Sequence, residues 1–444
     1  MADQTAEREL PPSLQEIASC VNGYDPKSLP VAQAREFIAR LVPKVQAIEM
    51  LALRSALGRE LARDIVSTFN VPAHDNSAMD GYAFRGSDLS PDADTVLSVA
   101  GSGFAGQAEL ASAAPGQCVR IMTGAVMPAE LDTVVPQEFV KVDGDRITVP
   151  AGIVRTGDNR RLMGEDLAQG DPALVKGRVL RPADLGMLAS LGQGEVPVFR
   201  RLRVAFFSTG DELRSIGEEL PAGCVYDSNR YTLWGMLARL GVEIIDLGVV
   251  KDDPAALEAT FRAAARDADA VITSGGVSVG EADHTKMVMA KLGDVLFWRI
   301  AMRPGRPMAI GRISTDKSAG ADHTGHSAIL FGLPGNPVAV MVTFYALVRD
   351  ALLAMSGAAA QPMPLLRAAS VEPMRKKPGR TEYQRGIVTR SADGVGWQVR
   401  ITGSQGSGIL RSMSEANGLV VLHHAQGNVA AGELVDVLPF DGLV

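Results

Sequence analysis

The chain has 444 residues, 46% hydrophobic and 21% charged, with a formal net charge of -7. That length exceeds what one hydrophobic core usually serves, so several domains are expected, and the acidic balance argues against nucleic acid as a default partner, because phosphate backbones need a basic face. The 46 glycines and 25 prolines follow no period, which excludes collagen-like sequence and predicts many tight turns in a globular chain.

The opening MADQTAEREL has no basic start followed by an apolar stretch, and no run is read as long enough to span a membrane, so a cytoplasmic protein is expected. Cys20, Cys118 and Cys224 stand far apart, with no CxxC pair and no neighbouring histidine, which predicts neither a disulfide framework nor a zinc site. Residues 31 to 45 (VAQAREFIARLVPKV) carry apolar side chains at helical spacing, interrupted by Pro43.

From about 66 to 179 the pattern changes to short Val, Ile and Thr runs between Gly, Pro and Asp, which predicts a β-rich domain. PADLGMLASLG at 182 to 192 reads as a helix with proline in its first turn and Gly192 after its last. Strands and helices then alternate: RVAFFSTG (203 to 210), a helix from about Ser228 to Leu240, EIIDLGVV (243 to 250), a helix over 254 to 265, and DAVITSGG (269 to 276). This grammar predicts a parallel sheet covered on both faces.

VLFWRIAM, PMAIGRI and AILFGLPG add strands before a helix that starts near Pro337 and ends before Gly357. The polar tract 314 to 327 reads as a surface loop, with His323 and His326 solvated rather than paired on a metal. After about Pro364 short strands return (LLRAASV, YQRGIVTR, WQVRIT, GLVVLH, LVDVLPF), which predicts a small barrel or sandwich. There is no internal repeat, and the fold class is multidomain α/β plus β with a doubly wound central α/β domain.

Ligands of open parallel sheets bind outside the carboxyl ends of the strands. Here those ends carry Ser208 to Glu212, then Lys251, Asp252 and Asp253, then Thr273, Ser274, Gly275 and Gly276, followed by Val277, Ser278, Val279, Gly280, Glu281, Ala282 and Asp283. Glycines let backbone amides approach a phosphate, although a glycine turn alone is common. Clustered acids beside a phosphate repel it unless a divalent cation lies between, so a magnesium-assisted reaction at a phosphate ester is the natural hypothesis. Arg299, Arg303 and Arg306 crowd into RIAMRPGRP without an acid, and guanidinium groups on a loop stiffened by proline and glycine suit a tetrahedral oxyanion.

DNSAMDGYAF (75 to 84), RIMTGAVMP with Thr123 and Gly124, GED (164 to 166) and GSQGSG (403 to 408) are by themselves ambiguous between turn and site. His74 beside Asp75 reads as structural or exposed. Together with FSTGDEL, YDSN, SGGVSVGEADH, RPGRP and LPGNP, in this order, they resemble the molybdopterin molybdenumtransferase family, to which bacterial MoeA and the gephyrin E domain belong.

The resemblance runs from about Leu29 to the C-terminus. It implies insertion of molybdate into adenylylated molybdopterin with release of AMP, the last step of molybdenum cofactor synthesis. It implies a homodimer of four-domain protomers with a site shared between subunits. The expected divisions are a discontinuous N-terminal or linker domain (14–65 and 163–200), a β-rich domain (66–162), a MogA- and MoaB-like α/β molybdopterin-binding domain (201–358) and a C-terminal β-barrel domain (359–444).

Glu212, Asp252 and Asp283 are the implied magnesium and pyrophosphate acids, with Asp80 and Thr123 facing them from the second subunit. Asp166, Arg385 and Ser407 also match functional positions, and Ser274, Gly275, Gly276 and Ser278 are the implied substrate loop. Family members often carry lysine where this chain has Arg299, Arg303 and Arg306, which keeps the charge and changes the donor geometry. Transient contacts with the adenylylating enzyme and apo-molybdoenzymes are expected, and neither nucleic acid nor membrane.

Two rivals stay open at this point. An adenylyltransferase shares the glycine-rich α/β domain but does not require the DNSAMDGYAF and GED regions. A dimeric scaffold has no need of acids and arginines at every matching position.

Overall fold

The computed structural model describes residues 12–106, 112–277, 284–314, 327–359, 363–392 and 394–441. His323 and His326 lie outside them.

The chain begins with a short helix, Leu14–Ser19, held by a capping box between Ser13 and Glu16. The helix Val31–Leu41 buries Val31, Ala34, Phe37, Ile38 and Leu41, one face at helical period. It stops two residues before Pro43, as the clash of a proline ring with the preceding helical turn requires. Phe37 meets Trp298 edge-on at 5.0 Å, so these helices pack on the α/β domain.

Ile48–Ala52 pairs antiparallel with Glu195–Phe199, and Leu61, Leu174, Leu188 and Val198 share one core. Two distant stretches of chain thus form one unit. Between them lies a six-stranded sheet in the order Thr133–Pro136, Gly81–Phe84, Gln117–Ile121, Thr95–Gly103, Arg146–Val149, Lys141–Asp143, with apolar clusters on both faces. Gly81 is required there: a Cβ would stand 2.0 Å from the Val135 carbonyl oxygen on the paired strand.

The central sheet runs in the order Glu243–Val250, Arg203–Thr209, Ala270–Ser274, Ser327–Leu333, Pro307–Ser314, Gly293–Arg299. The first four strands are parallel, but Pro307–Ser314 is antiparallel to both neighbours, so the sheet is mixed rather than wholly parallel. The connection from Arg299 to Pro307 is too short for a parallel crossover, which takes a dozen residues or more. Helices Ser228–Arg239 and Pro337–Ser356 cover one face; Pro254–Asp267 and His284–Leu292 cover the other.

The helix Pro337–Ser356 corrects one expectation. The helix has 20 residues, and an 18-residue stretch of it, with mean hydropathy 1.8 and 72% buried within the protein, is long and apolar enough to cross a bilayer. Arg349 and Asp350 interrupt the apolar run within the helix and hide its length in the sequence. A π-helical turn over Phe344–Val348 lies mid-helix, and Gly357, left-handed at φ 95°, ends it.

The C-terminal strands close a five-stranded barrel: Thr381–Arg390, Trp397–Ile401, Leu366–Ser370, Leu434–Pro439 and Gly418–Leu422, which returns to the first. This resolves the barrel-or-sandwich alternative. Met302–Arg303 pairs parallel with Thr381–Glu382, which ties the arginine loop of the α/β domain to the barrel.

Candidate active site

The strand Arg203–Thr209 has sequence neighbours leaving to opposite sides, Glu243–Val250 on one flank and Ala270–Ser274 on the other. At such a switch point the loops diverge and leave a crevice at the carboxyl ends of the strands. A cavity of about 570 Å³ opens there, lined by Thr209, Gly210 and Glu212, by Asp227, Ser228 and Asn229, by Asp252, by Ser274 to Gly276 and by Gly335 to Pro337.

The backbone of this floor is built for close approach. Gly275 and Gly276 have φ of 96° and 66°, and a Cβ at Gly275 would come within 2.5 Å of the Thr209 carbonyl oxygen. Helices starting at Ser228 and Pro337 turn their N-termini to the cavity, where the helix dipole favours an anion. The strand ends are bolted together: the Ser208 and Ser274 hydroxyls lie 3.1 Å apart, and Asn229 Nδ2 donates to the Gly335 carbonyl at 2.7 Å.

Glu212, Asp227 and Asp252 put carboxylates on the same wall. Asp227 caps its helix by accepting from the Arg230 amide at 3.1 Å, while its Oδ2, the Asn229 Oδ1 and the Thr209 hydroxyl are buried with no hydrogen-bond partner. Among the described residues no three His, Cys, Asp or Glu side chains form a metal cage by themselves. An all-oxygen donor set with two nearby carboxylates nevertheless fits magnesium, which takes one or two carboxylates and completes its shell with water and substrate phosphates.

A second cavity, of about 340 Å³, lies where the arginine loop meets the barrel, with Arg303, Arg375, Arg385, Glu382 and Gln405 in its lining. Arg385 is 1% exposed and has no carboxylate partner among the described residues. Its guanidinium donates instead to the Ser412 hydroxyl and to the carbonyls of Ser404, Gln405 and Gly406, at 2.9 to 3.2 Å. Burial and the neighbouring Arg303 push its pKa down to about 10. A buried cation facing another cation, held only by neutral acceptors, leaves the cavity in need of an anion.

The two cavities are joined through the backbone. The loop held by Arg385 continues to Ser407, whose carbonyl accepts the Val338 amide at 3.1 Å in the first turn of the Pro337 helix.

The sequence-predicted residues fall into three places. Glu212, Asp252, Ser274, Gly275 and Gly276 meet in the first cavity; Arg303 and Arg385 meet in the second, with Ser407 between them. Arg299 and Arg306 line neither cavity: the strand ending at Arg299 is the far edge of the sheet, and the Arg306 side chain is exposed. Ser278 and Asp283 lie outside the described residues.

Asp80 and Thr123 belong to the β-rich part and Asp166 to the stretch that follows it, and none of them lines either cavity of its own chain. Asn76–Ser77 pairs with Arg160–Arg161, Asn76 bridges Val126, and the Asp75 carboxylate accepts the Met163 amide at 2.7 Å, so three of the four ambiguous motifs, those around Asp80, Thr123 and Asp166, come together. Asp80 Oδ1 accepts both the amide and the hydroxyl of Thr123, which hold this carboxyl below its ordinary value of 3.8.

Asp227, Asn229, Asn336 and Arg375 were not singled out individually by the sequence reading. YDSN and LPGNP carried a usable signal, a helix-capping residue placed after a glycine-rich or strand-ending turn. Arg375 sits in the basic run MRKK, which resembles an ordinary solvated surface stretch.

Three family descriptions match the chain in order: "MoeA N-terminal region (domain I and II)" over residues 29–192, "Probable molybdopterin binding domain" over 205–354 and "MoeA C-terminal region (domain IV)" over 367–440. The chain is 42% identical over 417 residues to a Haemophilus influenzae protein named molybdopterin molybdenumtransferase, covering 94% of this chain and 100% of that one. A Nostoc protein of the same name is 36% identical, covering 94% and 97%. Among solved structures, a molybdopterin biosynthesis moeA protein from Pyrococcus horikoshii superposes with a TM-score of 0.78 at 29% identity, covering 93% of this chain and 99% of that one.

Proposed function

This chain belongs to the molybdopterin molybdenumtransferase family, and from that premise we propose that it joins molybdate to adenylylated molybdopterin in a magnesium-dependent reaction that releases AMP. It is a transferase of molybdenum cofactor biosynthesis acting on molybdopterin. The observation that carries the finer reading is the pairing of two unlike cavities: one with a glycine cradle and a carboxylate wall, one with arginines, joined by the Ser407 to Val338 hydrogen bond.

The first cavity takes the adenylylated substrate. Backbone at Gly275 and Gly276 and the two helix N-termini cradle its phosphates. Glu212 and Asp252, with Asp283, would hold magnesium, which would offset the charge on the phosphate oxygens. The second cavity takes molybdate, whose two negative charges offset Arg303 and Arg385.

The working site is shared between two copies of the chain. Val225 and Tyr226 in the lining of the first cavity are exposed, as are Ile216, Leu220, Tyr231 and Trp234 near them in sequence, a set of large apolar side chains that a second copy would cover. That copy brings Asp80, Thr123 and Asp166 to face Glu212 and Asp252. A cytoplasmic setting, and hand-off of the product to apo-molybdoenzymes, complete the reading.

Reconstitution tests it. The purified protein, supplied with adenylylated molybdopterin, molybdate and magnesium, should restore activity to an apo-molybdoenzyme; no restoration, with the substrate bound, would reject the insertion step.

A further inference from the structure

The second cavity contains a cation that neither its sequence context nor the family resemblance marks. Arg375 lines it together with Arg303 and Arg385, and its side chain has neither a hydrogen bond nor an ion pair among the described residues. The carboxylate in the lining, Glu382, is already engaged: it is buried and pairs with Arg380 at 2.8 Å. Three arginines therefore line one small space whose only acid, among the described residues, is already paired with Arg380.

The mount of Arg375 is rigid. Met374, 2% exposed, exchanges both backbone hydrogen bonds with Val429 at 2.9 Å. Lys376, 4% exposed, donates its amide to Asn428 Oδ1 at 2.9 Å and turns its ammonium to the carbonyls of Lys377 and Gln426. Arg375 is thus an exposed residue fixed between two buried ones, whereas an ordinary surface arginine sits on a segment free to shift. Arg375 lines the cavity beside Pro373 and Met374, on backbone held at both neighbouring positions.

We propose that Arg375 is a third oxyanion-binding residue, which with Arg303 and Arg385 surrounds a tetrahedral dianion and sets the affinity of the cavity for it. The inference rests on the reading of this cavity as the molybdate site. Arg303 and Arg375 are exposed and supply adaptable donors from two separate loops, while buried Arg385 fixes the base. Planar guanidinium forks reach more than one oxygen of the ligand, which an ammonium cannot do in the same geometry.

The experiment is equilibrium binding of molybdate to the purified full chain, by calorimetry, for the wild type, Arg375→Ala, Arg375→Lys and Arg303→Ala, with AMP binding measured on each protein as a control for folding of the other cavity. The proposal expects Arg375→Ala to raise the molybdate Kd about tenfold, Arg375→Lys to recover part of that loss, and AMP affinity to stay unchanged. Arg375→Ala binding molybdate like the wild type while Arg303→Ala loses it would overturn the role of Arg375 and leave the cavity reading intact. If Arg303→Ala also binds like the wild type, or if the wild type binds no molybdate, the cavity reading fails and the proposal falls with it.

Discussion

Asp80 and Thr123 are 43 positions apart in sequence, and one carboxylate oxygen of Asp80 accepts both the amide and the hydroxyl of Thr123, each at 2.7 Å. Both bonds favour the charged form, so the carboxyl titrates below 3.8. Because the folded pKa is depressed, this contribution to stability is present above the unfolded value and is lost as pH falls through the folded one. Thr123→Val should return the Asp80 pKa toward 3.8, as followed by the side-chain carbonyl carbon resonance. An unmoved pKa would show that the hydroxyl bond is not formed in solution, since the Thr123 amide remains in the variant.

A shared site makes a sharper prediction. Asp80→Asn and Glu212→Gln should each be inactive alone, since they damage opposite halves of every site in their own dimers. Co-refolded, half of the dimers are mixed, and each mixed dimer has one site built from two intact halves, so about a quarter of wild-type activity should return. No recovery would place both residues in one protomer's site or deny one of them a role.

Gly275→Ala puts a methyl group 2.5 Å from the Thr209 carbonyl at a φ that side chains rarely adopt. A cost of about 1–3 kcal/mol is expected from strain of this kind, with a lower melting temperature. AMP affinity should fall with it, because the cradle itself must shift. Unchanged melting and unchanged AMP binding would remove the glycine loop from the phosphate site.

Arg385→Lys keeps the charge and loses the fork that holds Ser404, Gln405 and Gly406. The cost should be about 2–4 kcal/mol, since several hydrogen bonds to a buried charged group are lost together. The released loop also carries Ser407, whose carbonyl holds the Val338 amide, so AMP affinity in the other cavity should weaken as well. Binding of AMP as in the wild type would show that the two cavities are independent.

How much of this could be read from the residues depends on the range of the cause. The switch-point acids and glycines were legible because strand ends and their loops are local in sequence, and the rule that ligands gather there is general. The arginine cluster was legible as charge but not as geometry: Arg303 is drawn to Arg385 by the pairing of Met302–Arg303 with Thr381–Glu382, whereas Arg299 and Arg306 are left elsewhere. No local pattern encodes that non-local pairing. The strand Pro307–Ser314 is legible as a strand but its antiparallel direction is not, because a short connection between apolar runs looks the same in sequence whichever way the second strand turns. Arg375 was missed because its distinction, fixed backbone on both sides, exists only once Val429 and Asn428 have folded against it.

The most direct test of the central claim is AMP release from adenylylated molybdopterin by the purified protein with magnesium, measured with and without molybdate. Two joined cavities predict release that depends on molybdate and is lost in Arg303→Ala at limiting molybdate. Substrate bound without release under every oxyanion and metal tried, or release indifferent to molybdate, would contradict the account.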